Sequence, residues 1–305
     1  MRTAPLRLLP LLLLATAVCA ATPRETEAAV QRGLRFLARE QDPAGWWDAA
    51  TTRIRCQDQP TRTSPDDRVA LTAQATLALL AGGYDHRTPN MHRTRTARAL
   101  AWLQSQQDGT GRWSPDGVAH AEAAQALAEA YGMTADPALR EPAQRAITAL
   151  LRMPPPGDAP GMAALAEALA AARAAGLDTG NLMSLRVGED EPEVGALLAA
   201  LHRDVSLEAW ARRIVQRRLD QRQAVDLRRA RLASSALIRL GGPLWERWNP
   251  ALRDALVEAQ ATDGARDGSW GDPGAGHPHA GRGRLQATAD ALLTLMVYYR
   301  SAADR

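Results

Sequence analysis

Residues 41–47 read Gln41-Asp42-Pro43-Ala44-Gly45-Trp46-Trp47: a helical pattern ending in Gln, a short turn, then Gly-x-Trp. The same order returns at Gln107-Asp108-Gly109-Thr110-Gly111-Arg112-Trp113, and Gln260 leads through a longer turn to Gly268 and Trp270. A recurring unit fixes an architecture before any single residue is interpreted, because each unit buries its faces against its neighbours. The three residue types fit one mechanical task. A Gln amide can bond backbone groups left open at helix ends. Gly permits the positive φ of a tight turn, and Trp can stack over the amide and bury a large area. Gln41/Gly45/Trp47, Gln107/Gly111/Trp113 and Gln260/Gly268/Trp270 therefore read as structural clamps rather than catalytic groups.

Around the clamps the chain is helical in pattern. Of its 305 residues 46% are apolar but only 4% aromatic, with Phe36 the single Phe, so Ala and Leu must build the core. Ala-Leu richness with few β-branched residues favours helix throughout. Pairs of helices are expected over 26–41 and 66–81, 92–107 and 118–131, 141–151 and 161–175, 207–218 and 227–240, and 250–260 and 285–300. A shorter unit carries 193–201, preceded by little more than 181–187. The third turn, Met153-Pro154-Pro155-Pro156-Gly157, has neither Gln nor Trp.

The second helix of each pair contains x-Ala-Leu or x-Thr-Leu, at Ala75-Thr76-Leu77, Gln125-Ala126-Leu127, Glu167-Ala168-Leu169, Gly195-Ala196-Leu197, Ser235-Ala236-Leu237 and Asp290-Ala291-Leu292. Ala allows close helix approach and Leu fills the groove between. The x position varies from Ala to Glu, which fits a face left free for a central cavity or funnel.

The N-terminus carries an export pattern: Arg2 and Arg7, an apolar run over 8–17, and small residues before a cut after Ala20. The run is too short to span a bilayer. Bulky Val18 and polar Thr16 argue against lipidation at Cys19. The expected organisation is a signal peptide over 1–20, then one domain over 21–305, exported to the periplasm or beyond with no transmembrane span. After such a cut Cys56 stands alone, so no internal disulfide forms and a zinc–thiolate site is disfavoured. The formal charge is +3, every basic side chain is Arg, and no basic block stands out, so nucleic acid is not an expected partner.

Gln-x3-Gly-x-Trp, after the helical stretches Arg32-Gly33-Leu34-Arg35-Phe36-Leu37 and Arg98-Ala99-Leu100-Ala101-Trp102-Leu103, resembles the QW repeat of squalene–hopene and oxidosqualene cyclases. Protein prenyltransferase β subunits share that fold. The chain looks most like bacterial exported proteins with prenyltransferase and squalene oxidase repeats. The resemblance implies an all-α fold, an α/α toroid of about six helical hairpins with inner and outer rings.

The chemistry of those enzymes is not matched. Protonation-initiated cyclisation needs a neutral carboxyl in a dry cavity, and the DxDD motif of the squalene–hopene type is absent. The nearest acids, Asp66-Asp67, stand at a helix start, where carboxylates cap open N–H groups. Few aromatics remain to line a cavity for carbocations. The zinc ligands of prenyltransferases are missing: Cys56 lacks the Asp-x-Cys context, and His277 and His279 supply two ligands in a Gly/Pro-rich loop. No metal or cofactor is expected. The candidate cavity groups are His120, Glu122, Glu167 and Asp290, with Gln125, Glu129 and Arg284 beside them. On one helix Ala124, Leu127 and Tyr131 share a face with His120, and Glu122, Gln125 and Glu129 share another. The leading expectation is a binding or scaffold protein that offers its funnel to a ligand or protein partner. The alternative is a terpenoid cyclase-like or polysaccharide-acting enzyme using these carboxylates.

Overall fold

The computed structural model describes residues 21–52, 54, 61–154, 156–180, 192–202, 206–220, 226–271 and 282–298. The export segment with Cys19, the stretch 181–187, Cys56, His277, His279 and Arg300 lie outside the described residues. Among those described there are eleven α-helices, two short 3-10 turns and no strand: α1 (Pro23–Glu40), α2 (Pro65–Ala81), α3 (Arg93–Gln106), α4 (Gly117–Thr134), α5 (Pro137–Arg152), α6 (Ala159–Ala174), α7 (Pro192–His202), α8 (Leu207–Asp220), α9 (Leu227–Leu240), α10 (Gly242–Ala259) and α11 (Gly283–Leu295). The protein is all-α. Among the described residues no helix is long and apolar enough to cross a membrane.

The helices fall into two sets that differ in how they are covered. α2 is buried without a break from Val69 to Ala81, and α4 is nearly so from Ala119 to Ala130. Helices covered all round are apolar all round. By contrast α3 buries only Thr96, Ala99, Leu100 and Leu103, a narrow strip along one face. The covered helices follow one another in contact: α2 with α4, α4 with α6, α6 with α7, α7 with α9, α9 with α11, and α11 back with α2. α1, α3, α5, α8 and α10 each contact two members of this circuit. In all six x-Ala/Thr-Leu triplets the second and third residues are at most 1% exposed, as close packing requires.

Three departures from the sequence expectation have local causes. α10 starts at Gly242 rather than near 250: Gly241 and Gly242 reverse the chain at φ +67° and +64°, and the buried Trp248 indole donates to Ser234 Oγ of α9 at 2.9 Å. That anchor outweighs the backbone bond lost at Pro250 inside the helix. α5 likewise runs through Pro142 from a start capped by Asp136. The cap of α2 is Ser64, whose hydroxyl accepts from the Asp67 amide. The Asp67 carboxylate instead accepts from Arg282.

The clamps share one geometry. Gln41 Nε2 donates to the Gly45 carbonyl of its own turn and to the Arg95 carbonyl of α3, both at 3.0 Å. Gln107 Nε2 repeats this with Gly111 at 3.1 Å and Pro142 of α5 at 3.0 Å. Gln260 Nε2 does so with Gly268 at 3.0 Å and Ala29 of α1 at 2.8 Å. Each amide thus ties one turn to the next outlying helix, and the last joins α10 to α1 across the length of the chain. The three indole N–H groups donate to Leu37, Leu103 and Leu256 at 2.8, 2.6 and 2.8 Å. Those carbonyls lie in the last turns of α1, α3 and α10, where no helical donor remains. No such Gln serves the third turn; instead Gln144, within α5, ties that helix to the segment after α6, its Nε2 donating to the Asp178 carbonyl and its Oε1 accepting from the Asp178 N–H.

Glycine is required where the clamp touches its neighbour. A Cβ on Gly268, at φ +86°, would lie 2.3 Å from the Arg32 carbonyl oxygen, whereas a Cβ on Gly83, at φ +80°, would meet nothing within 4 Å. Gly83→Ala should therefore cost only the left-handed strain, about 1–2 kcal/mol, and Gly268→Ala clearly more, since α1 must move. Urea unfolding of the two variants measures the difference; equal losses would show that the clamp tolerates displacement.

Candidate functional site

Buried charged side chains link several helices of the circuit. Arg231, one turn after Arg228 on α9, is 1% exposed. Its Nη2 lies 2.9 Å from Glu167 Oε2 of α6, its Nε 3.1 Å from Asp290 Oδ1 of α11, and its Nη1 donates to Gln74 Oε1 of α2 at 3.2 Å. Arg282, just before α11, donates through Nε to Asp67 Oδ1 at 2.8 Å and through Nη1 to Glu122 Oε2 of α4 at 3.0 Å. Arg228 Nη1 approaches the other Glu122 oxygen at 3.6 Å. Gln286 Nε2 donates to Asp290 Oδ2 at 2.9 Å, and Gln125 Nε2 to Glu129 Oε1 at 2.9 Å. Gln74 Nε2, Gln125 Oε1 and Gln286 Oε1 are buried without a hydrogen-bond partner among the described residues.

The electrostatics follow from this arrangement. Burial disfavours the charge on Arg231, but Glu167 and Asp290 outweigh that and hold the guanidinium protonated more firmly than a free one. Arg282 is raised in the same way, burial being overcome by Glu122 and Asp67. Burial pushes Asp67 up, yet the bonds from Arg282 and Ser64 prevail and its carboxyl sits below its ordinary value. Asp290 behaves oppositely: burial lifts its carboxyl above the usual range, and Arg231 and Arg228 only partly offset that.

Next to this cluster, at the C-terminal ends of the same helices, is a cavity of about 460 Å³. Its wall is mainly Ala and Leu, including Ala128, Ala171, Ala174 and Leu197, with Glu129, Glu167, Ser235 and Arg239 as polar members. The volume falls in the range of about 300–1,000 Å³ usual for small-molecule sites.

The structure brings together Glu122, Glu167 and Asp290, each on a guanidinium. Only Glu167 of the three also lines the cavity. His120 is elsewhere: on the opposite face of α4, 0% exposed, with Nε2 3.1 Å from the Ala146 carbonyl of α5. That acceptor places the proton on Nε2. The ring lies beside the clamp residue Trp113, centroids 5.5 Å apart. Arg284 Nη1 donates to Ser269 Oγ at 3.2 Å, beside the third clamp and away from the centre. The x positions do not all face inward: a Cβ on Gly195 would strike the Trp210 ring of α8 at 2.8 Å. Sequence reasoning missed Arg228, Arg231, Arg282, Gln74 and Gln286, and read Asp67 only as a helix cap. A usable signal was present in Arg228 and Arg231, two arginines one turn apart just before a stretch, Leu232–Ile238, without a charged residue. Among the described residues no group of three or more His, Cys, Asp or Glu is placed to hold a metal ion. No family model matches the chain, and no curated protein sequence matches it.

His120 links pH to stability. Burial lowers its imidazole from 6.5 to about 4. The unfolded chain therefore binds the proton first, so stability is intact above pH 6.5 and falls between 6.5 and 4, by up to about 3 kcal/mol. His120→Asn should remove that part of the pH dependence, read from denaturation midpoints across this window. An unchanged slope would assign it to other groups.

Proposed function

We propose that this chain is an exported α/α toroid of six helical hairpins, a member of the squalene cyclase-like QW-repeat class, that binds an apolar ligand in its central cavity without cyclase chemistry. The toroid reading draws on the closed order of contacts α2, α4, α6, α7, α9, α11 and on the Gln260 clamp that joins α10 to α1. In this reading α1, α3, α5, α8 and α10 are the outer partners of the circuit.

The observation that carries the binding reading is the division of the interior. Carboxylates that could act on a substrate are held by guanidiniums, and the space that could receive a ligand is walled by alanines. A general acid or base must reach the reacting atom. Glu122 and Asp290 face arginines instead, and His120 faces α5. The enzymatic alternative retains one support, that Glu129 and Glu167 both line the cavity; two carboxylates there could serve a hydrolytic or lyase reaction.

Thermal shift on the chain over 21–305 separates these. Farnesol and decanol, which are neutral and apolar, should raise the midpoint, since a ligand at about 100 times its Kd adds about 2.7 kcal/mol. Glycan and cell-wall fragments should not. Ala171→Trp, which fills the cavity, should abolish the shift. Stabilisation by glycans alone, or a shift untouched by Ala171→Trp, would overturn the reading.

A further inference from the structure

We propose that a cleft beside the first clamp is a binding site for an oxyanion that keeps a hydroxyl hydrogen, hydrogen phosphate above all. It is separate from the apolar cavity and does not rest on the binding reading given for that space.

The three clamps supply their own comparison. In each, the Gln amide donates to a carbonyl of the next outlying helix, at Arg95, Pro142 or Ala29. Three residues further on stands an arginine, Arg98, Arg145 or Arg32, whose carbonyl lies against the clamp glycine. At the second and third clamps this arginine folds back onto the Gln: Arg145 Nη2 donates to Gln107 Oε1 at 3.3 Å, and Arg32 Nε and Nη2 both donate to Gln260 Oε1. At the first clamp it does not. Arg98 is exposed and its side chain makes no hydrogen bond or ion pair among the described residues, and Gln41 Oε1 accepts nothing from them. A cleft of about 190 Å³ remains there, lined by Gln41, Asp42, Thr94, Arg95 and Arg98 among others.

Arg95 is the second departure, since the other two clamps have Pro142 and Ala29 in its place. It stands in the first turn of α3, where a cation opposes the helix dipole, so helix stability does not account for it. Its Nε donates to the Ala38 carbonyl at 2.9 Å, which leaves both Nη groups without a bond to the described residues. The buried His92 ring registers the same positive potential: burial first, then Arg95 and Arg35, hold it below its ordinary value. Two guanidiniums on one cleft offer N–H donors to the oxygens of an anion. Gln41 Oε1 and the Asp42 carboxylate offer acceptors; Asp42 Oδ1 already takes the Ala44 N–H at 2.8 Å. A carboxylate repels a bare oxyanion and bonds a hydroxyl, so the cleft distinguishes hydrogen phosphate from sulfate. Its volume lies below the range of about 300–1,000 Å³ usual for larger ligands, as suits a single ion.

The test is isothermal titration of the chain over 21–305 with phosphate, sulfate and methyl phosphate at low salt. At about pH 8, well above the second pKa of a phosphate ester near 6, only the first keeps a hydroxyl hydrogen. Phosphate should bind at least about tenfold more tightly than the other two, as one charge-assisted hydrogen bond implies. Arg98→Gln should weaken phosphate by about the same factor, with an unchanged denaturation midpoint because Arg98 holds no partner. Arg145→Gln, the matching change at the second clamp, should leave phosphate binding as it is. Asp42→Asn, which keeps the bond from Ala44, should bring sulfate close to phosphate. If phosphate does not bind, binds no better than sulfate or methyl phosphate, or binds Arg98→Gln as tightly as the parent, the proposal is wrong.

Discussion

A guanidinium taken out of water costs several kcal/mol unless paired and hydrogen-bonded. Among the described residues three are buried, those of Arg228, Arg231 and Arg282. Their partners come from different elements: Asp67 and Gln74 from α2, Glu122 from α4, Glu167 from α6, Asp290 from α11. No two neighbouring helices could satisfy Arg231 alone. The positions of α2, α6, α9 and α11 are therefore coupled through one side chain. The same coupling decides what the interior can do, because each carboxylate committed to an arginine is withdrawn from chemistry. It also accounts for the raised Asp290: a carboxyl cut off from water is costly to keep charged, and the nearby Glu122 carboxylate adds to that cost.

The periphery is held by a different device that uses neutral groups. A Gln amide has two N–H donors and one carbonyl acceptor, and the clamps direct the donors to two backbone carbonyls. At Gln260 the acceptor also takes both Nε and Nη2 of Arg32, at 3.0 and 2.6 Å. The glycine makes room for this approach and the indole closes the helix end. The clamps all lie where outlying helices end and covered helices begin, so they fasten one end of the assembly. The cavity opens at the other end, where no clamp intrudes.

How much could be read in advance follows from the range of each interaction. Clamps are local, from the seven residues of Gln41–Trp47 to the eleven of Gln260–Trp270, and were legible to the residue. Helices were legible by composition, apart from α10 and α5, whose starts depended on Trp248 reaching α9 and on proline being tolerated. Glu122, Glu167 and Asp290 stood out as acids in apolar helices, but their partners lie up to 160 residues away in the chain, and nothing local pairs them. His120 shares a helix with Glu122, and only the packing of α5 separates their roles. The x position of the triplets failed at Gly195 because there the small residue admits the Trp210 ring rather than facing the centre.

The central claim is that buried guanidiniums compensate the carboxylates that hold the circuit together. Equilibrium unfolding of Arg231→Met tests it most directly, since Met keeps much of the bulk and removes the charge. Leaving Glu167 and Asp290 uncompensated should cost about 3–5 kcal/mol at neutral pH. A variant as stable as the parent, or more stable, would mean that packing alone holds the centre and that its charges are incidental.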